Sequence, residues 1–173
     1  MQSHLNTDNG KIINPFSRIS LSDNYKNLVK IAAYLCDTKF AMIITLDESK
    51  VSTITPYGFE VDPIPGMNSF CTNALKVKDL LLIEDLNEHK RLQNIVSDYA
   101  GQEIRFFCGL PINSQSGKNI GTICVLDDKP GKMSFEKIDL LRSLAKEVEE
   151  KSYHSDLYKR LREKTTFLKH AYI

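Results

Sequence analysis

The first regular pattern of apolar positions begins after residue 20. Residues 1–20 are mostly polar and contain Gly10 and Pro15 as breakers, so we expect a flexible lead-in. Apolar residues then recur at helical spacing, at Leu21, Leu28, Ile31, Ala32 and Leu35. This spacing predicts an amphipathic helix that is capped by Ser20 or Ser22 and ends near Cys36.

Two extended segments follow this helix. Residues 40–47 are rich in β-branched and aromatic side chains, and residues 50–57 alternate in polarity, so together they predict an antiparallel hairpin. Two prolines and two glycines between positions 58 and 67 exclude regular structure there. A cap at Asn68 or Ser69 then predicts a short helix through Leu75.

The middle of the chain joins a short apolar run to a long polar stretch. Residues 80–83 are continuously apolar and predict a strand buried on both faces. Residues 84–102 carry few apolar side chains and predict a short helix or a lid over a neighbouring site.

Two strongly alternating segments predict a second hairpin, because Gly117 lies in the connection between them. In the first segment the alternation assigns one face to Ile104, Phe106, Cys108 and Leu110, and the other to Arg105, Phe107 and Gly109. In the second segment it separates Ile120, Thr122, Cys124 and Leu126 from Gly121, Ile123 and Val125.

The last element is a long helix that Ser134 opens. Its apolar stripe comprises Ile138, Leu141, Leu144, Ala145 and Val148, fades over residues 149–156 and resumes at Leu157, Leu161 and Leu168. A continuous helix of about 36 residues would be roughly 54 Å long. A compact chain of this length has a diameter of only roughly 40 Å. The distal stripe therefore needs a partner, and we expect the same helix of a second copy. A frayed terminal helix is the alternative, since residues 151–152 interrupt the register.

Composition narrows the class of protein. With 23 Lys and Arg against 22 Asp and Glu, interleaved along the chain, no basic face for nucleic acid is expected. No apolar run approaches the roughly 18 residues of a membrane span, and residues 1–10 do not resemble a secretion signal. We therefore expect a cytoplasmic protein without nucleic-acid or membrane partners.

Few residues carry obvious chemistry. The chain has 4 cysteines, without zinc-ligand spacing, and they are expected to be buried free thiols. Phosphate-binding glycine loops and a Gly-x-Ser-x-Gly elbow are absent from the sequence. Asp85, Arg91 and Arg105 border predicted strands, where they could hold a lid by ion pairs or form a purely structural network. Cys71 and Cys124 are the candidates for thiol chemistry, Cys71 because it lies in the first turn of a predicted helix.

From Leu28 to Val148 the sequence resembles a GAF domain of bacterial sensor kinases and cyclic di-GMP enzymes. The residues that carry the resemblance are Ala41, Ser69, Phe70, Cys71, Ala74, Leu75, residues 83–86, Arg91, Asn94, residues 104–111, Gly117, residues 120–127, Pro130, Ser134, Leu144 and Ala145. The resemblance implies an α+β sandwich, PAS-like in architecture. Its central antiparallel sheet would have five or six strands, with the terminal helices on one face and a ligand pocket on the other.

The sequence departs from several ligand-binding branches of that family. Bilin-binding relatives carry histidine beside the attachment cysteine, whereas Cys71 is followed by Thr72. We find no cyclic-nucleotide signature, and the cysteine spacing does not match the free methionine sulfoxide reductases. Haem-binding relatives need an axial histidine, for which His89 is a poor candidate. The sequence therefore indicates no particular cofactor.

The function that the resemblance implies is a sensory or regulatory module that binds a small molecule or a partner. The residues expected to line its pocket are Phe70, Cys71, Phe107, Gly109, Thr122 and Cys124, with Asp85, Arg91 and Arg105 at the mouth. A thiol-dependent reductase of free methionine sulfoxide and a module that only dimerises are the alternatives. The organisation implied is a lead-in at 1–20, the domain at 21–150 and a signalling or dimerisation helix at 151–173. A kinase or cyclic di-GMP output domain would act in cis or in trans.

Overall fold

The computed structural model describes residues 22–47, 50–60, 73–89, 98–99 and 101–171. Helix α1 spans Ser22–Cys36, and strands β1 and β2 span Phe40–Asp47 and Lys50–Tyr57. Strand β3 spans Leu81–Ile83 and precedes a 3-10 turn at Leu86–Glu88. The short strands β4 and β5 span Asp98–Tyr99 and Gln102–Glu103. Strands β6 and β7 span Phe106–Asn113 and Asn119–Asp127, and helix α2 spans Phe135–Ala171.

The main sheet has five strands in the order β2-β1-β7-β6-β3. Each neighbouring pair is antiparallel, with β7 between β1 and β6 in the middle. Strands β4 and β5 form a separate two-stranded sheet. The predicted antiparallel α+β architecture is confirmed, and both predicted hairpins lie where the alternating segments placed them.

Each face of the sheet carries its own apolar cluster, because successive residues of a strand point to opposite sides. The helix-side cluster joins α1 and α2 to the sheet and includes Val29, Ala32, Ala41, Ile43, Phe106, Cys108, Leu110, Ile123, Val125, Leu141, Ala145 and Val148. The far-face cluster consists of Phe40, Met42, Ile44, Ala74, Ile83, Leu86, Ile104, Phe107, Cys124 and Leu126. The expected placement of both terminal helices on one face is therefore confirmed.

Polar contacts fix the start of α2 on the domain. Lys137 Nζ lies 2.6 Å from Asp37 Oδ2 just past the end of α1. Arg142 pairs with Asp79, which precedes β3. Further along, the Asn113 backbone N–H donates to Glu149 Oε1 at 2.6 Å. The first half of α2 is thus attached to three different parts of the chain.

One prediction of burial and two predictions of which sheet face a residue packs on need correction. Leu81 and Leu82 are only half-buried, because β3 is the edge strand of the sheet and not a strand buried on both faces. Ile104 packs with Phe107 in the far-face cluster and not beside Phe106, because β6 begins only at Phe106 and the alternation does not extend back to Ile104. Ile120 packs on the helix side and not with Thr122, since the pairing of β6 with β7 shifts register next to it.

In its described portions, the polar stretch at 84–102 contains the 3-10 turn, strand β4 and the first residue of β5, whereas residues 90–97 and 100 lie outside the described residues. Most of the short helix predicted up to Leu75 also lies outside the described residues. Across the ranges described, no helix combines the length and apolar character that crossing a bilayer requires.

Candidate functional site

The far face of the sheet brings four of the candidate residues together. Partners directly opposite each other on antiparallel strands point to the same side. The registers align three far-face rows across β1, β7 and β6: Phe40, Leu126 and Phe107; Met42, Cys124 and Gly109; Ile44, Thr122 and Pro111. Phe107, Gly109, Thr122 and Cys124 therefore lie at the centre of one surface, opposite the helices.

Gly109 is a packing position within this surface. A methyl group on its Cα would lie 2.8 Å from the ring of Phe107 and 3.1 Å from the Cβ of Ala74. The Phe107 ring and Ala74 already occupy that space, so a larger residue at 109 would displace them. The lack of a side chain at Gly109 thus leaves room for the ring of Phe107, which is fully buried on the far face.

Thr122 is the polar exception among these apolar neighbours. It is fully buried, and its Oγ1 has no hydrogen-bond partner within the described part of the chain. Its cross-strand neighbours Ile44 and Pro111 offer only hydrocarbon from their side chains. A buried hydroxyl without a partner costs free energy relative to the same group in water. The burial of Thr122 therefore calls for an explanation.

Asp85 and Arg105 form a bidentate ion pair at one end of the sheet. Arg105 Nη2 lies 2.6 Å from Asp85 Oδ2, and Arg105 Nε lies 3.2 Å from Asp85 Oδ1. The backbone holds the same corner, because the Leu86 N–H donates to the Arg105 carbonyl and the Arg105 N–H donates to the Asp127 carbonyl. The pair therefore stands where β3, β6 and β7 meet, next to Leu86 and Ile104 of the far-face cluster.

The ion pair also sets the charge of Asp85. Desolvation alone would raise the pKa of this carboxyl. Hydrogen bonds from the Arg105 guanidinium and the Asn87 backbone N–H more than offset that effect and hold the pKa below its usual value. Asp85 is thus ionised near neutral pH, and the guanidinium of Arg105 balances its charge.

The described cysteines lie on different sides of the sheet. Cys124 belongs to the far-face cluster, whereas Cys108 and Cys36 belong to the helix-side cluster. Burial raises the pKa of the Cys108 thiol to about 12 and that of Cys36 to about 11. Both helix-side thiols therefore stay protonated and are poor nucleophiles at neutral pH.

Phe70, Cys71 and Arg91, the other expected site residues, lie outside the described residues. Among the residues expected at the mouth of the pocket, Asp85 and Arg105 are described, and they form an ion pair. Within the described ranges, no group of His, Cys, Asp or Glu has the arrangement of a metal site.

Our sequence reasoning did not assign Phe40, Met42 and Ile44 to this surface, although all three are buried on it. The alternation along 40–47 was the available signal, but this segment is apolar on both faces and so did not reveal which side faced the helices. Asn119 was also missed. Its Nδ2 donates to the Leu75 carbonyl at 2.9 Å and ties the segment before β3 to β7.

Comparisons with known proteins agree with this architecture. No family model matches the sequence. Over 125 residues, which are 72% of this chain and 21% of the other, the sequence is 25% identical to a cyclic di-GMP phosphodiesterase of Pseudomonas aeruginosa. The chain therefore spans only a small part of that relative.

Two solved structures are similar in fold. The GAF domain of a phosphoenolpyruvate-protein phosphotransferase from Acinetobacter superposes with a TM-score of 0.67 at 17% identity, over 83% of this chain and 88% of that one. A free methionine-R-sulfoxide reductase from Neisseria meningitidis, in complex with its substrate, superposes with a TM-score of 0.61 at 16% identity, over 79% of each chain. The five-stranded antiparallel sheet with both helices on one face is thus the fold of a GAF domain, and the expected resemblance to GAF domains is confirmed at the level of the fold.

Proposed function

We propose that the chain is a sensory or regulatory GAF domain that binds a small molecule on the far face of its sheet. The binding event is transmitted to α1 and α2 on the opposite face. The observation that carries this proposal is the two-sided sheet, in which β6 and β7 supply buried residues to both apolar clusters. A displacement of these strands by a ligand on one side therefore changes the packing of the helices on the other.

The length of α2 supports the transmitting role. Its 37 residues extend over about 56 Å, which exceeds the roughly 40 Å diameter of a compact chain of this size. Leu141, Ala145 and Val148 are buried against the domain, whereas Leu157 and Leu161 are 40% and 53% exposed. Leu157 and Leu161 therefore offer exposed apolar surface to another helix.

We assign that partner to a second copy of the chain, which would make the protein a homodimer through its terminal helices. A two-fold pair of long helices would convert a change in packing into a change in the separation of their ends. In this proposal a kinase or cyclic di-GMP output domain, in cis or in trans, responds to that change in the cytoplasm. The relative in Pseudomonas aeruginosa supports a cyclic di-GMP output, since its name describes such a phosphodiesterase.

The reductase-like fold neighbour makes a thiol enzyme the second candidate. A mechanism that uses Cys108 and Cys124 together would have the sheet between its two thiols, since they belong to opposite clusters. We therefore favour the sensory function. NADPH-coupled reduction of free methionine sulfoxide, lost in Cys124→Ser or Cys108→Ser, would reverse this preference.

A metabolite panel tested by scanning calorimetry of the full chain examines the sensory function directly. A ligand at a hundredfold excess over its Kd stabilises the folded state by about 2.7 kcal/mol and raises the Tm accordingly. Cys124→Val should weaken this response because Cys124 lies on the far face. Cys108→Val, an equally buried change on the helix side, is the matched control and should leave it intact.

Absence of a shift across a broad panel would favour the third alternative, a module that only dimerises. A response that Cys108→Val abolishes and Cys124→Val spares would place the ligand on the wrong side of the sheet and contradict the proposal.

A further inference from the structure

The far face contains a hydroxyl that has no hydrogen-bond partner among the described residues. The buried polar residues in the described part of the chain are Thr45, Thr55, Thr122 and Ser152. Ser152 lies on α2, and Thr55 is paired with Ile43, which points towards the helices. Ile44 points to the far face, so Thr45, the next residue of β1, points to the helix side. Among the described residues, Thr122 is thus the buried hydroxyl that points into the far face.

The neighbouring strands explain why the Thr122 hydroxyl is unpaired in the described part of the chain. Thr122 is fully buried, and Oγ1 lacks a partner within the described residues. The residue opposite it on β6 is Pro111, which has no N–H to donate, and the residue opposite it on β1 is Ile44. Valine has the same shape as threonine and would fill this position without burying an unpaired oxygen.

The surroundings of this hydroxyl limit the chemistry of what it could bind. Ile44 and Pro111 lie in the same row as Thr122, and Met42 and Cys124 lie in the adjacent row. None of these four side chains carries a carboxyl or an amino group. Charged groups described beside the far-face cluster are already paired. Asp85 forms a bidentate pair with Arg105, and Lys39, whose Nζ lies 5.0 Å from the centroid of the Phe40 ring, pairs with Asp128. A charged ligand group beside Thr122 would therefore be desolvated without a counter-charge from these residues.

We propose that Thr122 is the hydrogen-bonding position of an apolar ligand site on the far face. The ligand class is a small, uncharged, mostly apolar molecule with one hydroxyl or carbonyl group that pairs with Thr122 Oγ1. This inference rests on the proposed function, because it specifies the ligand chemistry of the same surface. Since Thr122 is fully buried, the ligand reaches it through local opening of the far-face cluster.

The first test concerns the protein without ligand. Thr122→Val removes the hydroxyl and keeps the shape of the side chain, whereas Thr122→Ser keeps the hydroxyl and removes a methyl group. If the hydroxyl is unpaired, the Tm of Thr122→Val equals or exceeds that of the wild type, and the Tm of Thr122→Ser falls. A Tm of Thr122→Val clearly below that of the wild type would show that the protein already satisfies the hydroxyl, and would overturn the inference.

The second test uses phenol and toluene, which differ chiefly in the replacement of a hydroxyl by a methyl group. Titration followed by ligand-observed NMR should give a phenol affinity about tenfold above that of toluene for the wild type, the ratio that one net hydrogen bond produces. Thr122→Val should bind both probes with similar affinity, and Thr122→Ser should retain the preference for phenol.

The remaining outcomes separate this inference from the proposed function. If both probes bind equally to all three proteins, the apolar surface on the far face is accessible but Thr122 does not select its ligand, and only the inference fails. If neither probe binds while the metabolite panel gives a shift that depends on Cys124, the function survives and the ligand class is wrong. If neither probe nor any metabolite binds, both proposals fail.

Discussion

At the scale of single residues, the Asp85–Arg105 ion pair should make the thermal stability of the protein depend on pH. The lowered pKa of Asp85 means that the folded state favours the ionised carboxylate. This contribution to stability is present above the unfolded pKa of about 4 and is lost as the pH falls through the lowered value in the folded protein. Asp85→Asn should therefore lower the Tm at pH 7, and the difference from the wild type should shrink as the pH falls below about 4.

Asp79→Asn is the matched control for this measurement. Asp79 also pairs with an arginine, Arg142, but its side chain is 67% exposed whereas that of Asp85 is 13% exposed. Exposed ion pairs contribute about 1 kcal/mol or less, so the control should change the Tm little. Equal losses for the two variants at pH 7 would contradict the special role of the Asp85 corner.

The buried thiols make a second prediction at this scale. Because burial raises the pKa of Cys108 to about 12, the thiol remains protonated at pH 8 and is shielded from reagents. Iodoacetamide should therefore leave Cys108 and Cys36 unmodified in the native protein and alkylate them once urea has unfolded it. Peptide mapping by mass spectrometry reports each site, and rapid native alkylation of Cys108 would contradict its placement.

At the scale of elements, the described leucines of α2 differ in burial between its first half and its second half. Leu141 is fully buried, so Leu141→Ala should cost about 2–5 kcal/mol of unfolding free energy. Leu161 is 53% exposed in the same helix, and Leu161→Ala should change the stability of a monomer by no more than about 0.5 kcal/mol. Urea unfolding at low protein concentration compares them directly, and similar costs would show that the distal half also packs on its own domain.

Most elements were predictable from local pattern. The bounds of α1, β1 and β2 follow from helical spacing, β-branched content and breakers, since these signals act within one segment. The burial of β3 was not predictable, because a continuous apolar run is compatible with a central or an edge strand. Its place at the edge depends on which strands pair in the middle of the sheet, and that is decided by residues far away in the chain.

At the scale of the whole molecule, the proposed homodimer depends on the exposed distal stripe of α2. The double variant Leu157→Ser and Leu161→Ser removes apolar surface that is exposed in one chain and would be buried in a pair. We expect light scattering of the full chain to report a dimer for the wild type and a mass close to the monomer for the variant.

Glu150→Ser with Glu163→Ser, two exposed polar positions of the same helix, is the control and should leave the dimer intact. If the Leu157→Ser, Leu161→Ser variant remains dimeric, the interface lies elsewhere. A monomeric wild type would favour the alternative of a frayed terminal helix.

The candidate site was predictable only in part. Strand alternation correctly put Phe107 and Gly109 on one face, and Thr122 with Cys124 on one face, because that alternation is a local property of the backbone. It did not show that Phe107 and Ala74 would cover Gly109, which depends on the packing of two distant segments. From the sequence, Asp85, Arg91 and Arg105 were only expected to form ion pairs with one another. The pairing of β3 with β6 brings Asp85 next to Arg105.

The amino-acid sequence alone determined most elements of this protein, the mostly apolar character of its long strands, and the excess length of its last helix. These features follow from spacing and composition within single segments. The tertiary structure decided which apolar residues face the helices, why Cys108 and Cys124 are separated, and that Thr122 lies buried without a partner among the residues described. These outcomes depend on strand order and register, which bring together residues that are distant in the chain and that no local pattern relates to each other.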